Sequence, residues 1–272
     1  MSAIADDEVM LMLFSAVGFL ISGRRWIGHL RLASRLQVRR STRCALLCIP
    51  LLCVAFISAA LARWADPEVR ENWFYFALLS LLGVDGLGIA TLCLEWLGVG
   101  LRTDALEGNN PAAAIAWSGA IVGFSAAYAG GNLGAGSSLW QNVFSASLAV
   151  GALLGSWFIV DFTCRISSSV ALERDLASGV RSAGFLVAVG SISGRSVAGD
   201  WHSIAGTLKD FARDGWPVVV LIVLAGALES ALRPSPRRIS PSVWTHGVCP
   251  ASLYLLLTAV WIARLGSWEG YP

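Results

Sequence analysis

The chain consists mainly of long apolar runs separated by short polar loops, a pattern that extends from Val9 to Leu265. The hydrocarbon core of a bilayer is about 30 Å thick and takes roughly 20 apolar residues in a helix. Only helices and closed barrels satisfy their backbone polar groups in lipid, and these runs are too long and continuous for barrel strands. Because the chain is 56% hydrophobic and only 14% charged, it leaves no room for a sizeable soluble domain. The sequence therefore predicts an all-α membrane protein.

The apolar runs divide into about eight predicted transmembrane helices. The first and the sixth are short. The predicted spans are 9–23, 44–62, 74–101, 112–130, 142–163, 179–194, 216–232 and 247–265.

The loop from Arg24 to Arg43 predicts the orientation of the chain. It contains seven arginines and no acidic residue: Arg24, Arg25, Arg31, Arg35, Arg39, Arg40 and Arg43. By the positive-inside rule this loop faces the cytoplasm. Alternation of the spans then places the later basic loops inside as well, with Arg102, Arg165, Arg174, Arg233, Arg237 and Arg238. Both termini are expected outside.

Two polar loops have the periodicity of amphipathic helices. Arg31, Arg35 and Arg39 recur every four residues, which is typical of a basic helix lying on anionic lipid headgroups. The same arginines are explained equally well if they only set the orientation of the chain in the membrane. If the helix does lie on the headgroups, the residues in contact with them are Arg24, Arg25, Arg31, Arg35 and Arg39. In an outer loop, Ile204, Leu208 and Phe211 form one apolar stripe, which predicts an interfacial helix.

A shift of 65 residues superposes the third and fourth spans on the fifth and sixth without a gap. The segment that begins at Asn110 falls on the segment that begins at Asp175, and small residues four apart coincide in both copies. Such residues let helix backbones approach closely in lipid. The predicted packing glycines are Gly86, Gly119, Gly123, Gly151, Gly155, Gly184, Gly190 and Gly194.

The two copies are two-helix hairpins that enter the membrane from the same side. They are therefore parallel repeats related by an axis along the membrane normal. This divides the chain into an N-terminal two-span segment at 1–73, repeat 1 at 74–139, repeat 2 with the outer helix at 140–215, and a C-terminal two-span segment at 216–272.

The turn-and-helix segments 107–124 and 173–185 resemble the YjfL-type bacterial inner-membrane family. That family has tandem hairpins with a GN-x-A-A-A-I-x-x-x-G signature, and the resemblance covers residues 74–232. The first copy departs from the signature at Asn110-Pro111, and the second has Asp175 where asparagine is usual. The resemblance implies a bacterial plasma-membrane location and no established activity.

A charge within a predicted span is costly and marks a functional site by default. The candidate ionisable residues in the spans are Asp85, Glu95, Asp161, Arg181 and Glu229. Asp85 is near the middle of the third span. Its carboxyl could carry a proton, bind a cation or be neutral and hydrogen-bonded to another helix, and we favour the last of these. Glu95, Asp161 and Glu229 end spans at the inner side, with Arg181 at the same depth. An Asp161–Arg181 ion pair or a ring of acids forming a cation vestibule are both compatible with that placement.

The sequence gives no indication of catalysis or of a cofactor. None of the three histidines, His29, His202 and His246, lies in a span, and the single lysine, Lys209, lies in a loop. The usual hydrolase, zinc-protease and phosphate-binding motifs are missing, as is the CxxC spacing of metal or redox sites. We therefore expect no enzyme activity, no cofactor, no metal site and no nucleic-acid partner.

Three functional classes remain open on the sequence alone. We favour a structural or accessory membrane protein that packs with lipids and with a membrane-protein partner or a second copy. The alternative is a small ion or proton channel or transporter that uses Asp85 and the inner acids. A lipid-modifying enzyme using Arg174, Asp175 and Arg181 is the least favoured of the three.

Overall fold

The computed structural model describes residues 5–136, 138–233 and 242–266 as a bundle of helices. The predicted basic residues Arg237 and Arg238 lie outside the described residues. The helices are α1 (Asp6–Arg35), α2 (Arg40–Trp64), α3 (Pro67–Glu71), α4 (Trp73–Trp96), α5 (Pro111–Gly130), α6 (Leu139–Cys164), α7 (Ile166–Ala171), α8 (Leu176–Val197), α9 (Ile204–Gly215), α10 (Pro217–Leu232) and α11 (Cys249–Leu265). Two π-helical turns, Leu101–Glu107 and Trp244–Val248, precede α5 and α11.

Within the described residues, seven helices are long and apolar enough to cross a membrane. An eighth span is formed if α9 and α10, which meet at a bend of 45°, count as one. The only extended pairing in these ranges is an isolated bridge between Ala65 and Gly134. The prediction of an all-α membrane protein with about eight spans is confirmed.

Helix α1 is longer than predicted. It continues through the arginine-rich stretch to Arg35, so that only residues 36–39 separate it from α2. A helix of 30 residues is about 45 Å long and exceeds the hydrocarbon core, so its last turns project beyond the apolar run. The segment from Arg24 to Arg43, predicted as a loop, is mostly helix and is interrupted only at residues 36–39. The helix continues through this segment because arginine is a good helix former. We call the face of the bundle where α1 ends the arginine-rich end.

The centre of the bundle is the parallel pair α5 and α8, the two most deeply buried spans. A Cβ at Gly119 would lie 2.3 Å from the Cα of Ala183, and one at Gly190 would lie 2.1 Å from the carbonyl oxygen of Gly123. Only glycine permits such backbone-to-backbone contact. Of the predicted packing glycines, Gly86, Gly119, Gly123, Gly184, Gly190 and Gly194 lie at close helix contacts.

The other two predicted packing glycines, Gly151 and Gly155 on α6, do not lie at a helix contact within the described residues. A Cβ at either position would meet nothing within 4 Å. The physical reason is that α6 packs on α5, α8 and α10 with other faces, while Gly151 is exposed. A small-residue spacing identifies a close-packing face but does not say whether a neighbour within the same chain covers it.

The turns before α5 and α8 are the same under the 65-residue shift. Asn110 N donates to the carbonyl oxygen of Asp104 at 3.1 Å, and Asp175 N donates to that of Ser169 at 2.9 Å. The residues just before these caps, Asn109 and Arg174, both have positive φ, at 46° and 54°. Asn110 and Asp175 each accept bonds from the first backbone N–H groups of the helix that follows, as predicted for helix caps.

The beginning of α1 and the end of α11 lie at the end of the bundle opposite the arginine-rich end. The indole of Trp140 donates to Asp7 Oδ2 at 3.1 Å, and Arg195 donates to the carbonyl oxygen of Leu265 at 3.2 Å. The predicted outer amphipathic helix is present as α9, packed along α8, with Ile204 and Leu208 exposed.

Candidate functional site

Asp85 lies in the middle of α4, where it faces α1. Helix α4 has 24 residues, so Asp85 is about 18 Å from its start and 17 Å from its end. A Cβ on Gly18 of α1 would lie 2.6 Å from Asp85 Oδ2, so the carboxyl occupies the space that this glycine leaves. Its Oδ1 is buried and has no hydrogen-bond partner among the described residues. One oxygen of this carboxyl is therefore buried near the middle of α4 without a partner among the described residues.

Local sequence fixes the direction in which Asp85 points. The side chain of Asn72 caps α4 by accepting from Phe74 N at 3.0 Å. The next residue after Asp85, Gly86, packs against the ring of Phe124 on α5, where a Cβ would lie 2.2 Å away. Because α4 seats its Gly86 side on α5, the adjacent Asp85 side is turned to α1.

Polar residues on α1 continue this contact toward both ends. At the end opposite the arginines, Tyr75 Oη donates to Glu8 Oε2 at 2.9 Å. Ser15 is buried, and its Oγ has no partner within the described residues. Beyond Gly18, a Cβ on Gly88 would lie 2.6 Å from the Oγ of Ser22, so this hydroxyl occupies the space that Gly88 leaves. We call the line formed by Glu8, Tyr75, Ser15, Gly18, Asp85, Ser22 and Gly88 the α1–α4 seam.

A cavity of about 930 Å³ lies at the arginine-rich end, beyond the seam along α1 and α4. Glu95 lines this cavity together with Arg25 and His29. Of the five candidate ionisable residues, Asp85 lies on the seam and Glu95 lines this cavity, and the other three lie elsewhere.

Arg181 and Glu229 form a closed ion pair between α8 and α10. Arg181 Nε lies 2.5 Å from Glu229 Oε1, and Nη2 lies 2.8 Å from Oε2. The guanidinium also donates to Ser178 Oγ at 2.9 Å and to the carbonyl oxygen of His246. Both side chains are almost fully buried, at 1% and 3% exposure. Such a bidentate, hydrogen-bonded pair compensates the cost of burying two charges.

The predicted Asp161–Arg181 pair is wrong, because Arg181 is occupied by Glu229. Asp161 instead accepts from Ser167 N at 2.7 Å and stabilises the turn into α7. Glu95, Asp161 and Glu229 consequently do not form a ring. They occupy a cavity wall, a helix turn and a buried ion pair, respectively.

The predicted headgroup arginines are divided between α1 and the next loop. Arg24, Arg25, Arg31 and Arg35 lie on the exposed last turns of α1, and Arg39 lies outside that helix, before α2. Arg25, Arg31 and Arg35 line the cavity.

Sequence reasoning missed the α1 side of the seam and one buried cation. Ser15, Gly18 and Ser22 recur at helical spacing, and this pattern is the signal that indicates a polar face on an otherwise apolar span. Arg195, near the end of α8, is 5% exposed. Its position before a polar loop gave no reason to expect burial.

Comparison with known proteins concerns the central helices. Residues 68–197 match the model of a family described as a Domain of Unknown Function (DUF350), which is slightly less than half of the chain. Neither a curated protein nor a solved structure matches the chain. The match includes Asp85 and Arg181 but stops before α9, whereas the resemblance drawn from the sequence extends to residue 232. The chain is thus similar to this family from α3 to α8, in a region that contains one side of the seam.

Proposed function

We propose that the protein moves protons or small cations across the membrane along the α1–α4 seam, with Asp85 as the charge-carrying group at mid-membrane. The observation that carries this proposal is the buried, unpartnered Oδ1 of Asp85 beside Gly18. An ionisable residue at this depth costs about 2.5–3.5 kcal/mol on insertion scales and is retained where it has a function.

The Arg181–Glu229 pair shows how this bundle stabilises a charge that only holds helices together. That pair has two bonds between its own charged groups and two further acceptors. Buried polar atoms in proteins are nearly always paired in this way. Asp85 lacks such partners among the described residues, which favours exchange with a mobile proton or ion over a structural role.

The packing of α1 is compatible with such exchange. Only 6% of its apolar window is buried, the lowest value of the candidate spans. Because α1 contacts α4 through serines and a glycine at the edge of the bundle, water can enter between these two helices while α5 and α8 stay packed. Hydroxyl groups and water conduct protons between fixed carboxyls, and Glu8 and Glu95 stand near the two ends of the route.

The proposal is tested with the purified chain in liposomes that carry a pH gradient or a K⁺ gradient. We expect Asp85→Asn to reduce flux by about tenfold or more, since the titratable group at mid-membrane is removed. Asp210→Asn makes the same chemical change on the exposed surface of α9 and is expected to leave flux unchanged. Equal flux through Asp85→Asn and the wild-type protein would remove the proposal's central residue.

A second candidate is a structural or accessory role without catalysis, supported by the uncovered glycines of α6. Gly151 and Gly155 are four residues apart on a face with nothing within 4 Å, a spacing that lets two helices approach closely in lipid. Gly151→Ile should block an association on this face with a partner or a second copy. Native mass spectrometry of gently extracted protein tests it, with Gly23→Ile as the control at another open glycine. Unaltered mass distributions for both variants would contradict this role.

We further propose a bacterial inner-membrane location, a duplication behind the two hairpins, and an arginine-rich end in the cytoplasm. The positive-inside rule supports the orientation, and the matching turns before α5 and α8 support the duplication. A reporter enzyme that is active only outside the cytoplasm is expected to be active when fused after α11. An active cytoplasmic reporter at that position would reverse the orientation.

A further inference from the structure

The cavity at the arginine-rich end has the composition of an anion-binding site. It has a volume of about 930 Å³ and lies between the last turns of α1 and the segment that links α4 to α5. Ligand sites of small molecules have volumes of about 300–1,000 Å³. The cavity is therefore large enough for a headgroup-sized ligand.

The wall contributed by α1 is strongly basic. Its lining residues on this helix include Arg25, His29, Arg31 and Arg35. Arg25, Arg31 and Arg35 have no ion-pair partner among the residues that the structure describes. Three guanidinium groups that line one cavity without an ion-pair partner among the described residues repel one another unless an anion joins them.

The opposite wall holds acidic groups, of which Asp104 is already engaged. Asp104 Oδ2 accepts from the backbone N of Gly100 at 2.6 Å. Arg102 lies 2.9 Å from Glu107, while the Thr103 hydroxyl also lines the space. Glu95 is the remaining acid of the cavity wall. Neither Asp104 nor Glu95 lies within ion-pair distance of the α1 arginines in the described structure, so these arginines are available to an incoming ligand.

We propose that this cavity binds a phosphate-bearing anion, with Arg25, Arg31 and Arg35 as its principal ligands. Guanidinium groups bind phosphate through paired, charge-assisted hydrogen bonds, and Arg is preferred over Lys for this geometry. The cavity is at the depth where α1 leaves its apolar run, so a phospholipid headgroup can enter it from the membrane and a soluble phosphate compound from the aqueous side. The inference does not depend on ion movement along the seam.

Native mass spectrometry of the full chain in detergent tests the proposal. The protein is titrated with phosphatidylglycerol, with phosphatidylcholine as the zwitterionic lipid, and separately with inorganic phosphate and glycerol phosphate. The cavity variant is Arg31→Gln with Arg35→Gln. The matched control is Arg40→Gln with Arg43→Gln, which removes the same charge from the exposed first turn of α2 outside the cavity lining.

We expect one phosphate-bearing ligand per chain, an affinity at least about tenfold lower in the cavity variant, and a change below about twofold in the control. Binding of phosphatidylglycerol in preference to phosphatidylcholine identifies a headgroup as the source, and binding of the soluble phosphates alone identifies a soluble ligand. Equal losses in both double variants would show a diffuse basic surface and overturn the site. Failure of all four compounds to bind the wild-type chain would also overturn it. Both double variants replace exposed residues, and an unchanged melting temperature confirms that they fold.

Discussion

The substitution Gly190→Ala tests the backbone contact between α5 and α8. A Cβ at residue 190 would lie 2.1 Å from the carbonyl oxygen of Gly123 and 2.7 Å from its Cα. Ordinary contacts of a Cβ are 3.4 Å or longer, so the two helices must separate by about 1 Å to admit this one. No flexible side chain is present at the contact to absorb that displacement.

The expected loss of stability follows from the burial of this pair. About three quarters of each span window is buried, at 78% for α5 and 72% for α8, so a separation disturbs packing along the whole contact. Overpacking in a closely packed core costs about 1–3 kcal/mol, and we expect the upper end of this range. At roughly 2–4 °C per kcal/mol, the melting temperature falls by about 6–12 °C.

Gly155→Ala is the matched control, because a Cβ there meets nothing within 4 Å. Alanine is favoured over glycine within a helix by about 1 kcal/mol, so this variant should melt at or slightly above the wild-type temperature. Thermal unfolding in detergent, followed by tryptophan fluorescence, measures both variants. If Gly190→Ala melts within about 2 °C of Gly155→Ala, the described approach of α5 to α8 is wrong.

Two further substitutions test the polar contacts at the arginine-rich end. Glu229→Gln leaves the charge of Arg181 buried without its carboxylate and should lower the free energy of unfolding by about 3–5 kcal/mol. The control, Glu173→Gln, breaks an ion pair whose acid is 38% exposed and should cost below about 1 kcal/mol. Similar losses for both variants in denaturant titrations would refute this. Asn110→Ala removes the cap of α5 and the bond from Nδ2 to the carbonyl oxygen of Val170 at 2.8 Å. It should lower stability by about 1–3 kcal/mol in the same titration, and an unchanged midpoint would contradict the assigned cap.

The architecture could be predicted from the sequence because lipid restricts the available structures. Run length alone predicts spanning helices, and the 65-residue shift predicts that Asn110 and Asp175 hold equivalent caps. The extent of α1 could not be predicted, since the apolar run ends near Gly23 while the helix continues on arginines with good helix propensity.

The partners of individual side chains could not be predicted, because they depend on how the helices rotate against each other. Asp161 and Glu229 lie at a similar predicted depth, and only tertiary packing assigns Glu229 to Arg181. The same limitation applies to Gly151, whose spacing is that of a packing face although no helix of the described chain covers it. Asp85 stands out in the sequence, but Gly18 becomes informative only when α1 is placed against α4.

The most direct test of the proposed route compares Gly18→Ala with Gly23→Ala in proton-flux measurements on liposomes. Both variants make the same change in α1, but a Cβ at residue 18 would lie 2.6 Å from Asp85 Oδ2 and one at residue 23 meets nothing within 4 Å. If protons or cations move along the seam, Gly18→Ala lowers flux several-fold while Asp85 itself is retained, and Gly23→Ala conducts like the wild-type protein. Flux that is the same in both variants would contradict a route between α1 and α4.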